Sequence, residues 1–86
     1  MYELKVGRRF LKRLKKLPTK HRGQVWRKVR SLRQDPRPQS SRKLRAGGGY
    51  RLTIGEYRAL YTIDDDAKMV KVYLLFHRGE DYPDLP

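Results

Sequence analysis

The chain has 86 residues, which is enough for one small domain, and we expect residues 1–86 to form it. Lys and Arg number 22 against 9 Asp and Glu, and the formal net charge of +13 favours polyanions or acidic proteins as partners. The absence of cysteine excludes disulfide scaffolds, cysteine-based zinc sites and thiol nucleophiles. No apolar run approaches the ~20 residues that cross a bilayer, and the first residues lack the features of a signal peptide. We therefore expect a cytoplasmic protein that does not enter a membrane.

The N-terminal half predicts a strand followed by two basic helices. Tyr2–Val6 alternates apolar and charged residues, which is typical of a short strand. From Arg8 the apolar residues fall at helical spacing until Pro18, where Thr19 is expected to cap a second helix. Asp35-Pro36 ends that helix, because the residue before a proline is pushed out of helical geometry.

The C-terminal half predicts an antiparallel meander. Gln39–Gly49 has the composition of a surface connector that ends in three glycines. Three strand-like runs joined by two tight turns follow it, namely Tyr50–Ile54, Tyr57–Ile63 and Met69–Phe76. The order β-α-α-β-β-β groups the helices, so the sequence predicts an α+β fold in which the helix pair covers one face of the sheet.

The charge is concentrated in the N-terminal half. Residues 1–45 contain 17 Lys and Arg against two acidic residues, a net charge of +15, whereas residues 46–86 have a net charge of −2. A solvated basic surface is the simplest explanation, but this density favours a polyanionic or acidic partner.

Several kinds of catalytic site are excluded. His21 and His77 are the only histidines and are too far apart in sequence to suggest a metal site, and His21 is expected to be a plain surface residue. Asp64-Asp65-Asp66 is better explained as a hairpin turn than as a Mg²⁺ site. Gly47–Gly49 lacks the Lys-Ser/Thr of a phosphate loop and precedes a strand. We therefore expect neither a metal nor a cofactor.

A set of cations and one phenol remains as the candidate site. It consists of Arg51, Arg58, Arg78 and Tyr82, with His77 adjacent. Guanidinium groups that gather on one sheet fit a phosphate, because their fork matches phosphate oxygens bidentately. Each arginine alone can equally be an ordinary exposed strand residue, and strand register decides between the two interpretations.

These segments resemble a known family. The sequences KLR at residues 43–45, YRLTIGEYRALY at 50–61 and HRGEDY at 77–82 are similar to the signature of RelE/ParE-type bacterial toxins. The resemblance extends over essentially the whole chain. RelE-type members cut messenger RNA in the ribosomal A site and are neutralised by a cognate antitoxin, so it implies an mRNA interferase that binds mRNA, the ribosome and an acidic, RelB-like antitoxin.

The resemblance also implies roles for individual residues. Arg58 and Arg78 would hold the scissile phosphate, and Arg78 is a candidate proton donor. Tyr82 would stack on a base or act as the general base, and His77 is chemically the better proton shuttle at neutral pH. Two positions correspond to family lysines: Arg51 takes one, and Thr53 stands at the other. Lys43 and Arg45 would contact the RNA or the ribosomal backbone.

Two other functions remain open. ParE-type chains share the fold and inhibit DNA gyrase by binding, without catalysis. A non-catalytic RNA- or ribosome-binding module is the function to which the net charge alone would lead.

Overall fold

The computed structural model describes residues 1–45 and 47–80, which form two helices and five strands. In chain order these are β1 (Glu3–Val6), α1 (Arg8–Leu14), α2 (Thr19–Ser31), β2 (Ser41–Lys43), β3 (Tyr50–Ile54), β4 (Tyr57–Asp64) and β5 (Met69–His77). The strands make one sheet in the order β1-β5-β4-β3-β2, in which β1 runs parallel to β5 and the other neighbours are antiparallel. The predicted α+β class, with a strand, two helices and an antiparallel meander, is confirmed.

The helices bury one apolar stripe each against the same face of the sheet. Phe10 and Leu14 of α1 and Val25 and Val29 of α2 are buried, and they share one core with sheet residues such as Val72. Full burial of such a side chain contributes ~1.5–3 kcal/mol, so this core is the main source of stability. Neither helix of the described residues has the length and apolar composition needed to cross a membrane.

The start of α2 differs from the prediction. Thr19 is the first helical residue, the capping position belongs to Pro18, and no side chain caps the helix. The prediction of Thr19 as N-cap is therefore wrong. Proline at the preceding position provides an extended backbone (φ −54°, ψ 149°) that leads directly into the helix.

The connector between α2 and β3 contains a strand that the sequence did not reveal. Ser41, Arg42 and Lys43 pair with Leu52, Arg51 and Tyr50 of β3 and form the outer edge of the sheet. Charged, exposed side chains are usual on an edge strand, where they discourage pairing with another chain. For the same reason β2 has no apolar alternation in its sequence, and the interpretation of Gln39–Gly49 as a plain connector is wrong over these three residues.

The register separates the side chains of the sheet into two faces. Tyr57, Ala59 and Tyr61 of β4 belong to the helix-side core. On the opposite face Leu60 packs with Leu74 and Phe76 of β5 in a second, smaller cluster. A bulge accompanies this arrangement, because Leu60 pairs with Leu74 while Tyr61 pairs with Val72. We call the side opposite the helices the distal face.

Candidate functional site

Arg58 and Arg78 both contact the turn that joins β3 to β4. The Arg58 guanidinium donates to the carbonyl oxygens of Gly55 (2.9 Å) and Tyr57 (2.8 Å). Arg78 donates through its backbone N–H to the carbonyl of Glu56 (2.8 Å), and its Nε lies 3.1 Å from the Glu56 carboxylate. Two of the predicted site residues, far apart in sequence, are therefore held at the same three-residue segment.

Arg51 lies on the distal face beside Arg58. Arg51 is opposite Leu60, and Arg58 is opposite Thr53, so the two arginines are diagonal neighbours on adjacent strands. Diagonal neighbours in an antiparallel sheet are ~7–8 Å apart, which is within reach of long side chains. Both arginines are half-buried, whereas Thr53 is exposed. The structure thus places Arg51, Arg58 and Thr53, which is directly opposite Arg58, on one surface.

Arg42 joins this surface and was missed by the sequence analysis. It pairs directly with Arg51 across β2 and β3, so the two side chains share the distal face. Like charges directly opposite each other destabilise a sheet, and an anion bound between them would relieve that repulsion. The signal for Arg42 was hidden because it depends on the pairing of an edge strand, which leaves no apolar pattern in the sequence. We call Arg42, Arg51, Arg58 and Arg78 the arginine face.

Lys43 and Arg45 occupy different positions from the arginine face. Lys43 pairs with Tyr50, which packs against the helix-side core, so alternation along β2 directs Lys43 away from the side of Arg42 and Arg51. Arg45 is exposed in the bend after β2. Neither residue is brought next to Arg58 or Arg78 by the strand pairing.

His77 belongs to a cluster on the helix side. It pairs with Tyr57, and the two rings meet edge to face with centroids 5.5 Å apart. The Tyr57 hydroxyl lies 3.0 Å from Nδ1 of His21 on α2. His21 is therefore half-buried and hydrogen-bonded, and its interpretation as a plain surface residue is wrong. The Gly79 N–H donates to Nδ1 of His77 (3.3 Å), so neutral His77 carries its proton on Nε2.

The segment after β5 is fastened to α1. Glu80 forms an ion pair with Arg13 and accepts a hydrogen bond from the backbone N–H of His77 (2.7 Å). These contacts, the Arg13 side chain first and the His77 N–H second, lower the pKa of Glu80 below its usual value. The same contacts fix the turn that contains Arg78. Tyr82, the remaining predicted site residue, lies outside the described residues.

The acidic turn between β4 and β5 is structural, as predicted. The Asp64 carboxylate accepts a hydrogen bond from the backbone N–H of Ala67, and Asp65 accepts from Arg37 (2.9 Å) and from the Tyr2 hydroxyl (2.6 Å). The Arg37 contact, followed by that of Tyr2, lowers the pKa of Asp65 to about 2. Within residues 1–45 and 47–80 no three His, Asp or Glu side chains cluster in a way that could hold a metal ion.

Comparison with known proteins identifies the family. The sequence profile of a family described as the ParE toxin of the type II toxin–antitoxin system parDE matches residues 4–82. The chain belongs to the RelE/ParE superfamily of toxins. A search of curated protein sequences finds no match.

Solved structures of RelE toxins share the fold of this superfamily member. A chain of the archaeal RelE–RelB complex from Pyrococcus horikoshii is 28% identical, with a TM-score of 0.82 over 93% of this chain and 98% of that chain. A chain of the RelBE2 toxin–antitoxin complex of Mycobacterium tuberculosis is also 28% identical, with a TM-score of 0.80 over 90% and 98%. The isolated Escherichia coli RelE toxin is 26% identical, with a TM-score of 0.78 over 94% and 88%. The RelE/ParE resemblance noted in the sequence is thereby confirmed.

Proposed function

We propose that this toxin is a ribosome-dependent, metal-independent endoribonuclease that cleaves mRNA in the ribosomal A site. The observation that carries the proposal is the arginine face, where Arg42, Arg51 and Arg58 lie on adjacent strands and Arg78 joins Arg58 at the Gly55–Tyr57 turn. A phosphate is the anion that several guanidinium forks bind best. The likeness to RelE toxins of known structure supports the same reaction class.

The reaction needs no nucleophile from the protein. RNA supplies the 2′-hydroxyl, which attacks the adjacent phosphorus once its proton is removed. The 2′-O–P bond forms, the P–O5′ bond breaks, and the departing 5′-oxygen takes a proton, which leaves a 2′,3′-cyclic phosphate and a 5′-hydroxyl. The protein therefore has to stabilise the charge on the pentacoordinate phosphate and provide a base and an acid.

The arginine face can stabilise that charge. Arg58 and Arg78 would hold the scissile phosphate, with Arg78 as candidate proton donor, and Arg51 and Arg42 would hold the flanking backbone. In the free protein Arg78 pairs with the Glu56 carboxylate, with 61% of the Arg78 side chain and 56% of that of Glu56 exposed. An exposed pair of this kind contributes only ~0–1 kcal/mol, so an incoming phosphate displaces Glu56 at little cost.

The general base is either Tyr82 or His77. Surrounding positive charge lowers the pKa of a phenol, which favours Tyr82 in so basic a site. The Nδ1 atom of His77 already accepts the Gly79 N–H, and its ring packs against Tyr57 on the helix side, so using His77 as the base requires that Nδ1 first lose this hydrogen bond. Thr53, at the position of a family lysine, leaves one cationic contact to the RNA missing.

The toxin needs a partner that silences it. Solved relatives include complexes between RelE and RelB, which supports an antitoxin partner for this superfamily member. We propose an acidic, RelB-like antitoxin that folds on binding and covers the basic helices and the exposed sheet, because the basic N-terminal half has a net charge of +15. The toxin would act in the cytoplasm, where ribosomes and mRNA meet. Lys43 and Arg45 would contribute contacts to the RNA or ribosomal backbone.

Primer extension on a test message tests the proposal directly. Purified toxin should produce cleavage sites in the presence of ribosomes, and Arg58→Ala or Arg78→Ala should abolish them. Arg22→Ala, which removes an exposed arginine of α2 from outside the arginine face, is the matched control and should cleave normally. Unchanged cleavage in both site variants would refute the assignment.

Gyrase inhibition is the second candidate, because the matching family profile is described as a ParE toxin. In that case the toxin would act by binding, and purified protein would inhibit DNA supercoiling without cutting mRNA. Ribosome binding without cleavage or toxicity would instead indicate a non-catalytic RNA-binding module.

A further inference from the structure

A second cationic site lies at the far end of α2. A cleft of about 270 Å³, the α2 cleft, is lined by Met1, Arg27, Arg30, Ser31, Arg33 and Gln34. Arg27 and Arg30 are neighbours on the surface of α2, because they are three residues apart, and Arg33 lies in the turn that follows the helix. The backbone N–H of Tyr2 donates to the carbonyl of Arg33 (2.7 Å) and holds the start of β1 against this end of the helix.

The three guanidinium groups of the α2 cleft lack acidic partners. Within the described ranges, 1–45 and 47–80, no ion pair involves Arg27, Arg30 or Arg33, and no carboxylate lines the cleft. Arg33 donates to the Met1 sulfur at 3.4 Å, which is a weak interaction that an anion can replace. The helix dipole favours cations near a helix C-terminus. That effect alone does not explain why three arginines line one cleft.

The lining of the cleft favours phosphate over an acidic peptide. A groove that binds an amphipathic segment supplies apolar pockets for anchor side chains, whereas Met1 is the one apolar residue among the six that line this cleft. Arginine instead pairs bidentately with phosphate oxygens. A neighbouring cleft of about 290 Å³ shares Arg30 and Arg33 but is lined by Glu3, whose carboxylate disfavours phosphate there.

The α2 cleft is far from the arginine face. Tyr2 is anchored to Arg33 at the cleft, and the next residue, Glu3, pairs with Met69 at the start of β5. Arg78 comes directly after the other end of β5. A strand of nine residues is about 25–30 Å long at ~3.3 Å per residue. A phosphate bound in the cleft is therefore a different one from the scissile phosphate.

We propose that the α2 cleft binds phosphate groups of the ribosomal RNA backbone and anchors the toxin on the ribosome while the arginine face acts on the message. This inference rests on the proposed function, because it requires the ribosome as the platform. Each phosphate neutralised by an arginine releases counterions, so the cleft should contribute to affinity and to its salt dependence.

The test compares two triple substitutions that remove the same charge from α2 and the turn that follows it. R27Q/R30Q/R33Q empties the α2 cleft of guanidinium groups, and K20Q/R22Q/K28Q removes three exposed cations of α2 that do not line it. Both are made in an Arg78→Ala background, so that no RNA is cleaved while binding is measured. Affinity for purified ribosomes is measured from about 0.05 to 0.2 M salt, and circular dichroism confirms that each variant is folded.

We expect the cleft variant to bind ribosomes at least tenfold more weakly than the parent, with a log–log salt slope shallower by about two to three units. The control should stay within about threefold of the parent. Equal weakening of ribosome binding in both variants, or no weakening in either, would refute the proposal that the α2 cleft binds the ribosome. Cleavage of mRNA by the unmodified toxin would not be affected by that result, so the proposed function is tested separately. The proposed function would be refuted as well if the Arg78→Ala parent did not bind ribosomes and the toxin with Arg78 intact did not cleave mRNA.

Two further arms identify the occupant. Affinity for a six-nucleotide single-stranded RNA should change less than threefold in the cleft variant, and a tenfold loss there would assign the cleft to the message instead. Binding of an acidic antitoxin peptide should weaken no more in the cleft variant than in the control variant, because both lose three cations of the basic N-terminal half. A tenfold loss of peptide binding with unchanged ribosome binding would assign the cleft to an acidic protein and refute the proposal.

Discussion

Replacing Arg78 by alanine should separate catalysis from stability. The substitution removes the guanidinium but keeps the backbone N–H that donates to Glu56, so the turn after β5 retains its hydrogen bond. The side chain is 61% exposed, and Glu56 is its ion-pair partner. Little of the folded structure depends on it.

The expected magnitudes differ greatly between the two properties. An exposed ion pair contributes ~0–1 kcal/mol to the free energy of unfolding. For a domain of this size that corresponds to a decrease in Tm of less than about 4–8 °C. Loss of one charge-stabilising donor in a transition state typically lowers kcat by ~10²–10³-fold, which is about 2.7–4 kcal/mol in the activation free energy.

The assay is single-turnover cleavage of a test message on purified ribosomes, read by primer extension, together with thermal unfolding followed by circular dichroism. Arg78→Lys is the matched variant, because it keeps the charge but loses the bidentate fork, and it should fall between wild type and alanine. Binding of the alanine variant to ribosomes should stay within a few fold of wild type. A cleavage rate reduced by less than tenfold, with the protein folded, would refute a role for Arg78 at the scissile phosphate.

Three other changes probe the core, the acid stability and the arginine face. Tyr61→Phe should lower the free energy of unfolding by ~1–3 kcal/mol in urea denaturation, because the buried Tyr61 hydroxyl donates to the Pro36 carbonyl (2.6 Å) and that acceptor would be left unpaired. Glu80→Gln should lower Tm at neutral pH but not at low pH. The lowered pKa of Glu80 means that its pairing with Arg13 stabilises the fold above the ordinary glutamate pKa and is lost as pH falls through the lowered value. Arg42→Gln should weaken RNA binding about three- to tenfold and change the single-turnover rate at saturation little, because its charge lies beside Arg51 rather than at the turn that holds Arg78.

Each of these predictions has a control. Tyr50→Phe removes a hydroxyl that accepts a hydrogen bond from Nε of the exposed Arg37, and it should lower the free energy of unfolding less than Tyr61→Phe. Asp66→Asn neutralises an exposed carboxylate in the turn between β4 and β5, and it should lower Tm at neutral pH less than Glu80→Gln does. Arg22→Gln, on α2, should leave RNA binding nearer to wild type than Arg42→Gln does. If a control changes as much as its test variant, the corresponding contact is not the cause.

Local sequence patterns determined the order of all the elements except β2, and they determined the apolar stripes of this protein. The alternation in Tyr57–Ile63 and the helical spacing around Val25 and Val29 are each contained in one short segment. They can therefore be recognised without knowing which other segments pack against it. The turn at Asp64–Asp66 was equally predictable, because the Asp64 carboxylate accepts from the Ala67 N–H three residues away, whereas the contacts of Asp65 with Arg37 and Tyr2 are long-range. The motifs that resemble those of RelE and ParE toxins indicated the family to which the protein belongs.

Tertiary structure alone decided which of the cations act together. Strand β2 becomes visible only through its pairing with β3, and that pairing places Arg42 against Arg51 and directs Lys43 to the other side. Likewise, the pairing of His77 with Tyr57 puts the imidazole on the helix side, where His21 joins the cluster. A shift of one residue in register turns a whole strand over, and register is a property of two strands together. For that reason no reading of one segment by itself could assign these side chains to a face.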